Sequence, residues 1–146
     1  MPREFKIVLC PTDFSEASFH AADYGLRFAR SASGTLILAH IIHVPAGDLY
    51  GSDHMMNFEE ATRVVEERLA AVARTRLEGY PKCQLRVSIG EPAEEIIKMA
   101  KDSRSDLIIT STHGRSGLAH LVMGSVAEKI IRHAPCPVFV VRTGVE

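Results

Sequence analysis

Apolar positions along this chain fall into two alternating patterns: short continuous runs, and longer stretches where they recur every three or four residues. Lys6–Cys10 is an apolar, β-branched run ended by Pro11 and predicts a first strand. Ser15 then precedes Glu16 and an amphipathic stretch to about Ala32, with Phe19, Ala22, Leu26 and Ala29 on one face and Gly34 to stop the helix. Leu36–His43 predicts the second strand and Phe58–Glu78 a long charged helix ended by Gly79 and Pro81. Gln84–Ile89 is the third strand, after which Gly90-Glu91-Pro92 turns into a helix through Ala100, with Pro92 at a favourable first-turn position. Leu107–Thr110, a helix from about Ser125 to His133, and Val138–Val141 complete the series. Pro45–Met56 is longer than most connections in such an arrangement and is a candidate lid.

Strands alternating with helices predict an α/β fold: a five-stranded, mainly parallel open sheet with helices on both faces. In such sheets a ligand sits beyond the carboxyl ends of the strands, where the strand order changes direction. Pro11-Thr12-Asp13 follows one strand and Ser111–Gly117 another, so both loops line one crevice if those strands are neighbours. The stretch from Leu107 through Thr110, Ser111, Thr112, His113, Gly114, Arg115, Ser116 and Gly117, followed by Gly124-Ser125, reads as strand, glycine-bearing loop and helix start. Short residues there let backbone N–H groups and a helix N-terminus reach one anion, usually a phosphate.

Bulk properties narrow the classes. With 146 residues the chain has the size of one domain (1–146), able to bury roughly 70% of its unfolded surface. A formal net charge of −1 leaves no broad field for nucleic acid or an anionic membrane. The apolar runs fall far short of the ~20 residues a membrane span needs, and the N-terminus lacks a signal-peptide pattern. Cys10, Cys83 and Cys136 are widely spaced and odd in number, which predicts reduced thiols in a cytoplasmic protein.

The chain resembles the universal stress protein family over nearly its whole length. The resemblance rests on Pro11-Thr12-Asp13-Phe14-Ser15, on His40 and Ile41, on Gly90-Glu91-Pro92, and on the C-terminal run from His113-Gly114-Arg115-Ser116-Gly117 through Gly124-Ser125-Val126-Ala127-Glu128 to Ala134-Pro135-Cys136-Pro137-Val138. It implies a Rossmann-like, adenine-nucleotide alpha-hydrolase-like sheet of strand order 3-2-1-4-5, and homodimers formed through the last strand. Its ATP-binding members carry Gly, two residues, Gly, nine residues, then Gly-Ser or Gly-Thr. Gly114, Arg115–Met123 and Gly124-Ser125 fit the second half, but Ser111 stands where the pattern has its first glycine. If that position required positive φ, serine would cost about 1–2 kcal/mol; if it required only close approach, the side chain would crowd the ligand or donate to it.

By the same resemblance, Asp13 and the backbone near Ile41 read the adenine or ribose, with Pro11 and Thr12 shaping the turn. Thr110 and Ser111, at the end of one strand and the start of the loop after it, belong to the same site, where Gly114, Gly124, Ser125 and Val126 hold the phosphates. Simpler roles stand beside these: Asp13 or Ser125 as a helix cap, His113 as a loop-ordering hydrogen bond rather than a phosphate contact, Arg115 as a solvated cation rather than a clamp. His40 and His43 lie three apart on a strand, where side chains point to opposite faces, so they form no shared metal site. No P-loop lysine, dinucleotide fingerprint or catalytic triad is present. Val138–Val141 is apolar on both faces, and at a sheet edge it would need covering; self-pairing across a two-fold axis does so.

These readings combine into a stress-response sensor or regulator, not an enzyme, that binds ATP or a related adenine nucleotide, with magnesium accompanying a triphosphate and an unidentified protein as a further partner. The alternatives are a nucleotide-free homodimeric interaction module and a slow ATPase or phosphotransferase.

Overall fold

The computed structural model describes residues 4–44, 55–112 and 123–142. Its elements run β1 (Ile7–Pro11), α1 (Glu16–Ser31), β2 (Thr35–His43), α2 (Met55–Thr75), β3 (Cys83–Gly90), α3 (Pro92–Ser103), β4 (Leu107–Ser111), α4 (Ser125–His133) and β5 (Val138–Val141). The strands form one sheet in the order β3-β2-β1-β4-β5, and every pairing is parallel. The expected architecture and strand order are those observed. β1 and β4 are neighbours, with Val8 opposite Leu107 and Leu9 opposite Ile108. The chain winds outward from β1 through β2 to β3, then crosses back to β4 and β5, so the reversal falls between β1 and β4.

The apolar strand runs follow from burial on both faces. Val8, Cys10, Leu36, Leu38, Leu107 and Ile109 pack on one face against Ala21, Ala22, Leu26 and Ala29 of α1 and Val65 and Leu69 of α2. The alternate residues Leu9, Ile37, Ala39, Ile41 and Ile108 face Ala93, Ile96 and Ala100 of α3 and Ile130 of α4. The period of two along the strands thus sorts one sequence into two cores.

Several boundaries differ from the sequence reading. Met55 and Met56 belong to α2 rather than to the preceding loop; the rest of the candidate lid, 45–54, lies outside the described residues. The same helix ends at Thr75, because Glu78 at φ 55° and Gly79 at φ 65° turn the chain out of helical geometry. α3 runs on to Ser103 and closes at Arg104, which takes a left-handed conformation. Gly34 does not stop α1: the helix ends at Ser31, and Ser33 adopts the positive φ. What requires glycine at 34 is closeness, since a Cβ there would overlap the Lys6 carbonyl, which accepts from Thr35 N at 2.6 Å.

Gly25 has a similar cause. Glycine inside a helix costs about 1 kcal/mol relative to alanine, yet here a Cβ would overlap the Cys10 sulfur, so the missing side chain lets α1 seat directly on β1. Burial, with a smaller contribution from nearby Cys83, raises the Cys10 thiol far above its ordinary ionisation range. All three cysteines are free thiols.

Candidate functional site

At the carboxyl ends of β1, β2 and β4 lies a cavity of about 550 Å³, within the range that holds drug-sized ligands. Its wall includes Pro11, Thr12 and Asp13 after β1, His40, Ile41 and His43 on β2, Thr110, Ser111 and Thr112 at the end of β4, and Gly124, Ser125, Val126 and Ala127 at the start of α4. The expected site residues that the structure describes (Pro11, Thr12, Asp13, Ile41, Thr110, Ser111, Gly124, Ser125 and Val126) therefore all line one cavity. His113, Gly114 and Arg115 lie outside the described residues. Thr112, in the loop expected to line the crevice, is also in the wall; Ser18, His43, Pro92, Ile96 and Ala127 join it without having been expected there, and His40 entered the sequence reading only as a mark of resemblance and in a rejected metal pair. Their signal was topological: each sits at the cavity end of its element, which only the assembled sheet reveals.

The β1–α1 connection is held by a chain of buried hydroxyls. Thr12 N donates to Ala39 O at 2.7 Å, and Phe14 N donates to Thr12 Oγ1 at 3.0 Å. Ser18 Oγ gives its proton to Ser15 O at 2.8 Å, so the 2.7 Å contact between Thr12 and Ser18 hydroxyls has Thr12 as donor. Thr12 and Ser18 are almost fully buried, and this network satisfies both. Asp13 Oδ1 accepts from Ser15 N at 2.9 Å, a local turn that orients the carboxylate without capping the helix. The cap of α1 is Ser15, which accepts from Ser18 N.

Beside them, α4 begins differently. Its N-cap is Gly124, not Ser125, with φ −61° and ψ 152° and no side-chain cap hydrogen bond. Gly124 N donates to Thr112 O at 2.8 Å, which ties the helix start to the end of β4. Ser125, Val126 and Ala127 are then the first helical residues, whose N–H groups have no partner within the helix. They stand in the cavity wall, where the positive end of the helix dipole favours an anion. No lysine or arginine is among the described lining residues, so backbone amides and the Ser125 hydroxyl are what this end of the wall offers.

Ser111 ends β4 in strand geometry and is not among the positive-φ residues. Backbone strain is therefore no obstacle to serine at this position; what remains is its side chain, nearly buried in the cavity wall. Among the described residues no group of three or more potential ligands could hold a metal ion.

A profile of the universal stress protein family matches residues 4–142. A universal stress protein of Methanocaldococcus jannaschii is 30% identical over 142 residues, spanning 94% of this chain and 82% of its own. Among solved structures, the universal stress protein UspA from Lactobacillus plantarum shares the fold with a TM-score of 0.75 at 23% identity, covering 97% of this chain and 100% of the other. A universal stress protein solved in complex with cAMP has a TM-score of 0.70 at 21% identity, over 97% of this chain and 100% of its own. Sequence match, strand order and fold agree, and this chain belongs to the universal stress protein family.

Proposed function

We propose that this chain binds ATP or a related adenine nucleotide in the cavity between β1 and β4, and acts as a stress-response sensor or regulator rather than as an enzyme. The observation that carries the reading is the uncapped start of α4, set in one cavity with Asp13 and β2. Phosphates meet the Ser125–Ala127 amides at one end; the Asp13 carboxylate accepts from a ribose hydroxyl or the adenine amine at the other. Hydrogen bonds to a charged group contribute about 1.5–3 kcal/mol each, and micromolar binding needs about 8 kcal/mol. A few such contacts plus the base pocket reach that level after association costs. A fold neighbour solved with cAMP indicates that the fold admits an adenine nucleotide; the case for this chain rests on its own wall. Magnesium enters with the triphosphate.

The assembly belongs to the same proposal: a cytoplasmic, single-domain chain that dimerises through Val138–Val141. β5 lies at the sheet edge and is only partly buried along Val138, Phe139 and Val140, which supports pairing with a second copy. No helix among the described residues is long and apolar enough to cross a membrane. One observation favours a second reading, a nucleotide-free interaction module: the Ser111 side chain occupies wall space where the ATP-binding pattern has glycine.

Calorimetric titration with ATP, AMP and GTP, after stripping any co-purified ligand, tests the reading. Micromolar, adenine-selective binding without phosphate release under saturating ATP and magnesium is expected. Absence of binding by all three moves the reading to the interaction module, and steady turnover moves it to an ATPase.

A further inference from the structure

His40 stands in the cavity wall near the carboxyl end of β2, half-buried. Its Nδ1 lies 2.7 Å from the Thr12 carbonyl oxygen. A carbonyl only accepts, so Nδ1 carries the proton and donates. In the neutral ring Nε2 is then a bare acceptor, and among the described residues it has no hydrogen-bond partner.

The ring is also held by an aromatic neighbour. Phe14 packs against it with centroids 4.9 Å apart, and the Arg68 guanidinium of α2 lies 3.8 Å above the Phe14 ring. Phe14 sits at φ 65°, a conformation a bulky residue keeps only where its surroundings over-determine it. Hydrogen-bonded along one edge and packed at a 47° tilt against a clamped aromatic, His40 presents its remaining nitrogen with little freedom left to lose on binding.

We propose that His40 is a specificity-determining residue of this cavity, accepting through Nε2 a hydrogen bond from a donor on the nucleoside half of the ligand. That donor is an exocyclic amine or a ribose hydroxyl. The proposal rests on the nucleotide reading and sharpens it: the β1–β2 side of the wall offers acceptors, Asp13 and His40, while the α4 side offers N–H donors. A ligand that satisfies both sides carries donors at one end and an anion at the other. Anions without a donor-bearing nucleoside meet only half of the wall.

Two substitutions separate this role from a structural one. In His40→Asn the amide N–H reproduces the tie to Thr12 and deletes Nε2; in His40→Gln the longer amide reaches the Nε2 position and gives up the tie. Titration with ATP is expected to show about tenfold weaker binding for the Asn variant and a change within about threefold for Gln. The opposite order means that the ring only supports Thr12, and overturns the proposal. Purine riboside triphosphate, 2′-deoxyATP and 3′-deoxyATP then locate the donor. The analogue lacking it loses about tenfold on the unsubstituted protein and nothing more on the Asn variant; if no analogue behaves so, the proposal is wrong. Nitrogen-15 spectra of the unsubstituted protein need neither variant: the His40 Nε2 resonance shifts toward the hydrogen-bonded position on adding ATP, and an unmoved resonance refutes the assignment. Failure of the unsubstituted protein to bind ATP removes the nucleotide reading and this proposal together. ATP binding that survives His40→Asn undiminished removes the proposal alone.

Discussion

Helices α1 and α4 both begin at the same cavity, and they begin in opposite ways. α1 closes its own start: Ser15 accepts from Ser18 N, and Asp13 accepts from Ser15 N. α3, which also reaches the cavity at Pro92, is closed by the Glu91 carboxylate accepting from Glu94 N. α4 starts at a glycine with no side chain to fold back over its amides. A capped terminus has one of its free N–H groups satisfied before any ligand arrives and gains stability from it, about 1 kcal/mol per cap. An uncapped one leaves that stabilisation to whatever binds. The lesson is that the candidate site is marked less by what is present than by a local rule applied twice and withheld once.

Closing the open end should have the largest effect. Gly124→Asp places a carboxylate where the phosphate would sit, and ATP affinity is expected to fall at least a hundredfold, about 2.7 kcal/mol. Stability of the ligand-free protein should hold or rise by a few tenths of a kcal/mol, since glycine is only slightly worse than aspartate as a cap. Calorimetry and thermal melts of one sample read both quantities; an affinity within threefold of the original would mean that the α4 amides do not meet the ligand.

Opening the closed end should do the reverse. Ser15→Ala removes the α1 cap and is expected to cost about 1 kcal/mol, some 2–4 °C in Tm, with ATP affinity within twofold. A large loss of affinity would show that the α1 terminus takes part in binding and would blur the distinction. The smallest effect sharpens it: sulfate near its own Kd should stabilise the unsubstituted protein by about 0.4 kcal/mol. The Gly124→Asp variant should show no such gain in a melt series.

Much of this is legible in the sequence. Two periods, 2 along the strands and 3.6 along the helices, sort Val8 and Cys10 from Leu9 without reference to structure. The resemblance carried the strand order and the choice of Pro11, Thr12, Asp13 and the Gly124–Val126 run. What was not legible depended on contacts between distant segments. Gly34 reads as a helix stop from its neighbours alone, and only the approach of the Lys6 carbonyl explains it. Ser125 reads as a cap because serine is a good one, whereas the tie from Gly124 N to Thr112 O moves the cap back by one residue. Ser111 raises the question of backbone strain, and its place in β4 removes it. His40 reads with His43 as a metal pair that strand geometry rules out, whereas its partner is Thr12, 28 positions earlier in sequence and adjacent in space.

The seat of α1 on β1 has a use of its own. With Gly25 directly over its sulfur and its thiolate suppressed by burial, Cys10 is shielded both sterically and chemically. Cys83 and Cys136 are only half-buried, although burial raises the Cys83 thiol as well. An alkylating reagent therefore reaches Cys10 only when the helix lifts from the sheet, and its rate of modification counts those openings. The chain carries an internal clock for its own breathing, one that mass spectrometry can read in a mixture, at any temperature, without a dye or a tag.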